Sequence, residues 1–169
     1  TGRTKIWDVE SAELLFAYNG DHVTGTKEGR QPALTAFALD IERRRAISAA
    51  EDGTVGIWNP NAGVVLNHFL PAAMSRQQLQ GQSSQARAIA KSLEVRAVIY
   101  WPEMHHFIAV GWSRSLLCYS DQQNYGQSVE PNWVGKCHKA DIMCLALNHP
   151  FLATGGLDGM LVIWKATSV

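Results

Sequence analysis

The stretch Arg45-Ala-Ile-Ser-Ala-Ala-Glu-Asp-Gly-Thr-Val-Gly-Ile-Trp-Asn59 decides how this chain is read. Two short apolar runs flank Asp52-Gly53, a dipeptide suited to a tight turn, so the stretch reads as strand, turn, strand, closing on a tryptophan. The same wording returns near the end as Leu152-Ala-Thr-Gly-Gly-Leu-Asp-Gly-Met-Leu-Val-Ile-Trp-Lys165. In both copies a hydroxyl residue stands four positions before the Asp (Ser48 and Asp52; Thr154 and Asp158), and a tryptophan stands six after it (Trp58 and Trp164). A phrase repeated at fixed spacing marks a repeat architecture, in which each unit buries its apolar face against the next.

Working outward, Thr4-Lys-Ile-Trp-Asp8 repeats the end of the phrase, so the chain opens inside a repeat. Residues 14–18 predict a strand, and residues 19–32, rich in glycine and charge, an inserted loop. Residues 33–39 are apolar at nearly every position and predict a strand covered on both faces. Residues 40–44 supply a charged turn, 59–63 (Asn-Pro-Asn-Ala-Gly) a second turn, and 64–69 the next strand. Residues 70–93 break the rhythm with Gln77, Gln78, Gln80, Gln82 and Gln85 and predict a second inserted loop, with a helical turn or two over 72–79. Strands at 95–100, 107–111 and 116–119 repeat the phrase in altered wording. Tyr119 stands where the tryptophan belongs, six residues after Ser113 in the Asp position. Residues 121–135 are polar and receive no assignment, and 142–147 is a strand. The anchors Trp7, Trp58, Tyr119 and Trp164 lie 51, 61 and 45 residues apart. Forty-odd residues make one four-stranded propeller unit, and the surpluses are the two loops.

On these residues the chain resembles the WD40-repeat β-propeller family. The resemblance implies an all-β fold of WD40-type blades, each of four antiparallel strands, in an incomplete ring of about three repeats. Residues 1–18 are then the end of one blade, 33–69 a blade, 94–135 a divergent blade and 140–169 a blade. It also implies a buried hydrogen-bonded tetrad of His, Ser or Thr, Asp and Trp, complete once as His138, Thr154, Asp158 and Trp164. The unit before it keeps Ser48, Asp52 and Trp58 but has Arg30 near the His position, so Arg30 or a backbone N–H is expected to satisfy Asp52. In the Tyr119 unit the tetrad fails, with Ala109, Ser113 and Tyr119 in its places. Dropping the polar partners together avoids a buried orphan, which costs about 1–3 kcal/mol. More narrowly, Ala109-Val-Gly-Trp-Ser-Arg-Ser115 and Ala140-Asp-Ile-Met-Cys-Leu-Ala146 resemble ciliary and axonemal WD-repeat proteins. There an odd blade carries a Gly-Trp-Asp-Arg-like turn, and here Ser113 replaces the Asp.

Composition narrows the partners. A formal net charge of zero gives no electrostatic reason to expect nucleic acid or an anionic membrane, and no apolar run approaches the ~18 residues of a membrane span. Cys118, Cys137 and Cys144, three without a framework, suggest reduced thiols and an intracellular setting, cytoplasmic or cytoskeletal. The N-terminus lacks Met and an apolar signal core, and three blades cannot close a ring of ~4–8. The chain is therefore expected to be part of a longer protein.

No constellation points to catalysis. Gly111-Trp-Ser-Arg-Ser115 is one glycine short of a nucleophile elbow and precedes a strand, not a helix. The trio of Asp158, His138 and Thr154 superficially forms a triad, but a triad exposes its hydroxyl to substrate. Cys137, His138 and Cys144 match no zinc spacing, and Cys144 in an apolar strand reads as core. Arg43, Arg44 and Arg45 read as a solvated hairpin tip or as a site for an acidic partner. Neither a cofactor nor a small-molecule substrate is expected. The expected function is a non-enzymatic protein-interaction scaffold, part of a propeller in a ciliary or axonemal assembly with axonemal or tubulin-associated partners. The alternatives are a peptide-reading or adaptor propeller of a cytoplasmic complex, and a non-catalytic subunit of an enzyme complex. Trp112 and Arg114, in the turn between two strands, are the candidate partner surface. Both inserted loops follow an outer strand and are expected on the same rim.

Overall fold

The computed structural model describes residues 3–19, 32–40, 42, 44–69, 93–121, 131 and 133–167. The described residues form antiparallel sheets in chain order. The first sheet pairs β1 (Arg3–Trp7) with β2 (Leu14–Asn19). Blade two runs β3 (Leu34–Asp40), β4 (Arg45–Ala50), β5 (Val55–Asn59) and β6 (Val64–Phe69), each strand beside the last. Blade three repeats this meander with β7 (Val95–Trp101), β8 (His106–Gly111), β9 (Ser115–Ser120) and β10 (Trp133–Lys136). Blade four contains β11 (Ile142–Asn148), β12 (Phe151–Gly156) and β13 (Leu161–Lys165). The fold is thus all-β, built of WD40-type propeller blades, and among the described residues the ring is not closed.

β10 lies in the polar segment that predicts nothing from its sequence. Its short run Trp133-Val-Gly-Lys136 becomes a strand because β9 offers it an edge, pairing Trp133 with Cys118 and Lys136 with Ser115. The helical turn expected over 72–79, and both inserted loops (19–32 and 70–93) apart from Asn19, which ends β2, Pro32 and Leu93, fall outside the described residues.

The repeat is visible in backbone detail as well as in wording. Each first strand carries the same irregularity, between Leu34 and Ala36, Val95 and Ala97, and Ile142 and Cys144. Such a bulge bends and twists the strand locally. In each blade one backbone hydrogen bond ties the turn between the second and third strands to the loop entering the first. Glu51 N–H donates to Ala33 (2.9 Å), Trp112 N–H to Glu94 (3.1 Å) and Leu157 N–H to Asp141 (2.9 Å). The turns and the residues just before each first strand (Ala33, Glu94 and Asp141) therefore share one rim.

Blades two, three and four stack through their sheet faces. Ile47, Ala49, Val55, Ile57 and Phe69 meet Val95, Val98, Tyr100, Phe107, Ala109 and Tyr119 in one core. Ile108, Val110, Leu116 and Trp101 meet Ile142 and Leu152 in a second, with Leu145 and Trp164 against it. The face of blade four equivalent to those two buried faces is open. Val55 and Leu116 are 1% exposed and their counterpart Leu161 is 70% exposed; Ile57 is 2% exposed and Ile163 57%. Two expectations fail for the same reason. Cys144 is exposed, not core, because it lies where no further blade covers blade four. Residues 33–39 form a strand covered on one face only: Phe37 and Leu39 are exposed and line an apolar cleft of about 200 Å³ with Ile6 and Trp58. The first sheet brings only two strands to that side, so β3 keeps one bare face.

Candidate functional site on the turn rim

In blade four the tetrad residues meet. The Trp164 indole Nε1–H donates to Thr154 Oγ1 at 3.1 Å, and Thr154 Oγ1 lies 2.8 Å from His138 Nε2. On the other side of the ring, His138 Nδ1 lies 3.1 Å from Asp158 Oδ1. The backbone N–H groups of Lys139 and Met160 also donate to Asp158, at 2.7 and 3.1 Å. Every group is used once if the neutral imidazole carries its proton on Nδ1: it donates to Asp158 and accepts the Thr154 hydroxyl proton. The hydrogen bond from His138, then those from the Lys139 and Met160 amides, outweigh burial and hold the Asp158 carboxyl at a pKa of about 2. Gly156 makes room for this, since a Cβ there would stand 2.5 Å from His138 Nδ1 and 2.7 Å from Asp158. Thr154 is fully buried and its hydroxyl is committed to Trp164 and His138. A nucleophile must be reachable by substrate, so the chemistry of this trio is to lock a blade.

Blade two keeps part of the set. Trp58 Nε1–H donates to Ser48 Oγ at 2.6 Å, inside the sheet. Asp52 accepts from the Thr54 backbone N–H at 3.0 Å and from its hydroxyl at 2.7 Å. A backbone N–H does serve Asp52, and Arg30 lies outside the described residues. Thr54, fully buried two positions after the Asp, was legible and missed: a hydroxyl at that spacing closes a local turn onto a carboxylate. Ala50 stands where blade four has Gly156, in the unit whose sequence has Arg30 near the His position of the tetrad.

Blade three replaces polar bonds by rings. Tyr119 stacks on Phe107 (centroids 4.9 Å apart, planes at 6°), and Phe69 from blade two meets both edge-on, at 5.8 and 4.4 Å. Ala109 is buried among them, and burial pushes the Tyr119 phenol up to about 12.

Arg45 overturns the reading of the arginine run as a solvated tip. Its side chain is 11% exposed, and its guanidinium lies between Asp40 (2.7 Å, same blade) and Asp121 (2.8 Å, blade three). Tyr100 lies beneath it at 5.1 Å and donates its hydroxyl to Asp121 at 2.9 Å. Burial disfavours the charge on Arg45, yet hydrogen bonds to Asp121 and then Asp40 outweigh it and raise the pKa. A sequence separation of 76 between Arg45 and Asp121 hid this node from sequence reading. Arg44, beside it, is exposed, and Arg43 lies outside the described residues.

The rim of blade three carries Trp112 and Arg114. Trp112 is half-buried, with the Arg96 guanidinium 5.3 Å from its ring and Arg96 paired to Glu94 at 3.1 Å. Arg114 is 62% exposed and reaches Asp141 of the next loop at 3.5 Å. Its backbone sets it apart. Gly53, Arg114 and Gly159 occupy the same turn position with φ of 84°, 58° and 74°. Glycine takes positive φ without penalty, whereas a side chain there costs about 1–2 kcal/mol. Blade three bears that cost to hold an arginine on the surface.

Among the described residues, no three His, Cys, Asp or Glu side chains converge to hold a metal ion. No helix among them is long and apolar enough to cross a membrane.

The family profile described as "WD domain, G-beta repeat" matches residues 130–165, from just before β10 to the end of β13. That span joins the outer strand of one blade to the three of the next. The Integrator complex assembly factor WDR73 of Xenopus laevis is 40% identical over 60 residues, covering 33% of this chain and 16% of that protein. The WD repeat-containing protein on Y chromosome of Drosophila pseudoobscura pseudoobscura is 25% identical over 133 residues, covering 78% of this chain and 10% of that one. This chain thus matches a tenth to a sixth of the length of these relatives. Among solved structures, the computationally designed Ika8 protein superposes with a TM-score of 0.64 at 18% identity, covering 98% of this chain and 40% of that one. U3-55K superposes at 0.60 and 18% identity, covering 81% and 37%. At that identity the likeness speaks for the fold.

Proposed function

We propose that this chain, which belongs to the WD40-repeat family, is an arc of a larger propeller that serves as a non-enzymatic scaffold for protein assembly. WD40 repeats are typically protein-interaction modules. The observation that carries the reading here is Arg114: an exposed arginine held at positive φ where both sister blades place glycine. Strain retained at an exposed turn is a pointer to function, and loops on a rigid scaffold are where binding residues gather. Trp112 stands beside it as the aromatic part of the same surface. The open face of blade four, equivalent to two faces that each carry a blade, is covered in this reading by a further blade of the longer protein.

The finer reading places the assembly in the axoneme, in a cytoplasmic or cytoskeletal setting with axonemal or tubulin-associated partners. Its support is the wording around Gly111-Trp-Ser-Arg-Ser115 and Ala140–Ala146. The second reading is an assembly adaptor of a cytoplasmic complex, favoured by the 40% identity to an Integrator assembly factor over 60 residues.

Arg114→Gly tests the surface because stability and binding should move in opposite directions. Relief of the turn should raise stability by about 1 kcal/mol, while capture of partners from cell extract by the full-length protein weakens. Trp112→Ala should weaken capture with the fold retained. Unchanged capture by both variants would remove this rim from the reading. Mass spectrometry of the captured proteins separates the axonemal assignment from the adaptor one.

A further inference from the structure

The junction between blades three and four carries a polar contact on the rim opposite the turns. Trp101, at the end of β7, is 4% exposed and forms part of the apolar core between the two blades. Its indole Nε1–H donates to Nδ1 of His149 at 3.1 Å, across the blade boundary, with the rings edge-on at 6.1 Å. His149 sits in the turn between β11 and β12, with its side chain 46% exposed and reachable by solvent protons. Glu103, on the turn after β7, places a carboxylate oxygen 3.9 Å from the same nitrogen.

These positions give Nδ1 two incompatible roles. To accept from Trp101 it must present a lone pair, so the ring is neutral with its proton on Nε2. A proton on Nδ1 makes both nitrogens donors. The Trp101 N–H then faces a donor, while the carboxylate of Glu103 waits within ion-pair distance. Histidine is the side chain whose ordinary titration spans about pH 5–8, so one proton exchanges an inter-blade hydrogen bond for a contact with Glu103.

Other charged and titratable groups lie on the neighbouring strands and turns. Lys165, on the third strand of blade four, lies over the Phe151 ring at 5.9 Å. On the turn of blade three, His106 directs Nδ1 to the Met104 carbonyl, and His105 is exposed.

We propose that the Trp101–His149–Glu103 cluster is a proton-operated latch between blades three and four: neutral His149 is held by the Trp101 N–H, and charged His149 releases that N–H and is held by Glu103 of the same blade as Trp101. What changes is the partner of Trp101, locally on this rim.

The test is the Trp101 indole N–H in the full-length protein labelled with 15N-tryptophan, assigned by its loss in Trp101→Phe. Between about pH 8 and about pH 5, that resonance should move, and its exchange with solvent should accelerate roughly tenfold beyond the intrinsic pH effect, as expected for loss of a buried donor's partner. The midpoint should coincide with that of the His149 ring followed by 13C-histidine. His149→Gln, which keeps an acceptor that does not titrate, should leave the resonance pH-independent, and Glu103→Gln should lower the midpoint. A Trp101 resonance that stays still in the unaltered protein, or one that moves identically in His149→Gln, overturns the latch.

Discussion

Blades three and four share a strand order, a bulge and a rim hydrogen bond, yet they are held by different forces. Blade four is closed from within by a relay of Trp164, Thr154, His138 and Asp158, every polar atom of which has a partner. Blade three has Ala109 in place of Thr154 and Tyr119 in place of Trp164. It is fastened from outside, by Phe69 of blade two against Phe107 and Tyr119 and by Arg45 of blade two against Asp121. The contrast extends to the outer strands. Val55 pairs with Phe69 in blade two, while the equivalent Leu116 in blade three pairs with Gly135. Phe69 gives blade three an aromatic partner that blade three does not pass on to blade four. A blade can thus abandon its internal hydrogen bonds when its neighbour supplies rings and charge.

Breaking the external fastening should produce the largest effect. Arg45→Leu removes the guanidinium from Asp40 and Asp121, both with almost fully buried side chains, and should cost about 3–5 kcal/mol. Urea unfolding followed by circular dichroism reads this; a loss below about 1 kcal/mol would mean that the node behaves as a surface ion pair. The internal fastening comes next. Thr154→Val keeps the shape but orphans the Trp164 N–H and the acceptor of His138, and should cost about 1–3 kcal/mol. The reciprocal Ala109→Thr should also destabilise, because Ala109 is fully buried among apolar residues, where a hydroxyl would lack a partner. A stabilising Ala109→Thr would show that the two solutions are interchangeable.

The smallest effect is a pH dependence. Asp158 has a folded pKa of about 2, below its ordinary 3.8. Its contribution is therefore fully present above the ordinary value and is lost as pH falls from there through about 2, the folded state binding its proton last. Comparing unfolding midpoints of the unaltered protein with those of Asp158→Asn across that interval isolates the term. The two curves should converge toward low pH, and parallel curves would contradict the assignment.

Much of the architecture was legible because repeats are written locally. The hydroxyl, Asp and Trp spacing located each blade's second and third strands, and the failure of that spacing at Ala109, Ser113 and Tyr119 marked the divergent blade. What escaped reading depended on neighbours. β10 is too short and polar to announce itself and exists because β9 presents an edge. Arg45 looks solvated among Arg43 and Arg44 until Asp121 is brought beside it. Cys144 and the apolar run at 33–39 read as core because hydropathy reports the preference of a side chain, not whether a second sheet arrives to satisfy it.

The sequence alone determined the unit: strand, Asp-Gly turn, strand and tryptophan, with Thr154 and Asp158 at the repeated spacing, while His138 joined them through the family resemblance. These choices are settled within one hairpin or between adjacent ones, by turn chemistry and alternation over short distances. Only the tertiary structure decided how units bind one another: Phe69 onto Tyr119, Arg45 onto Asp121, Trp101 onto His149. Such pairs form where stacked sheet faces and rims meet, and no local pattern in either partner encodes the other.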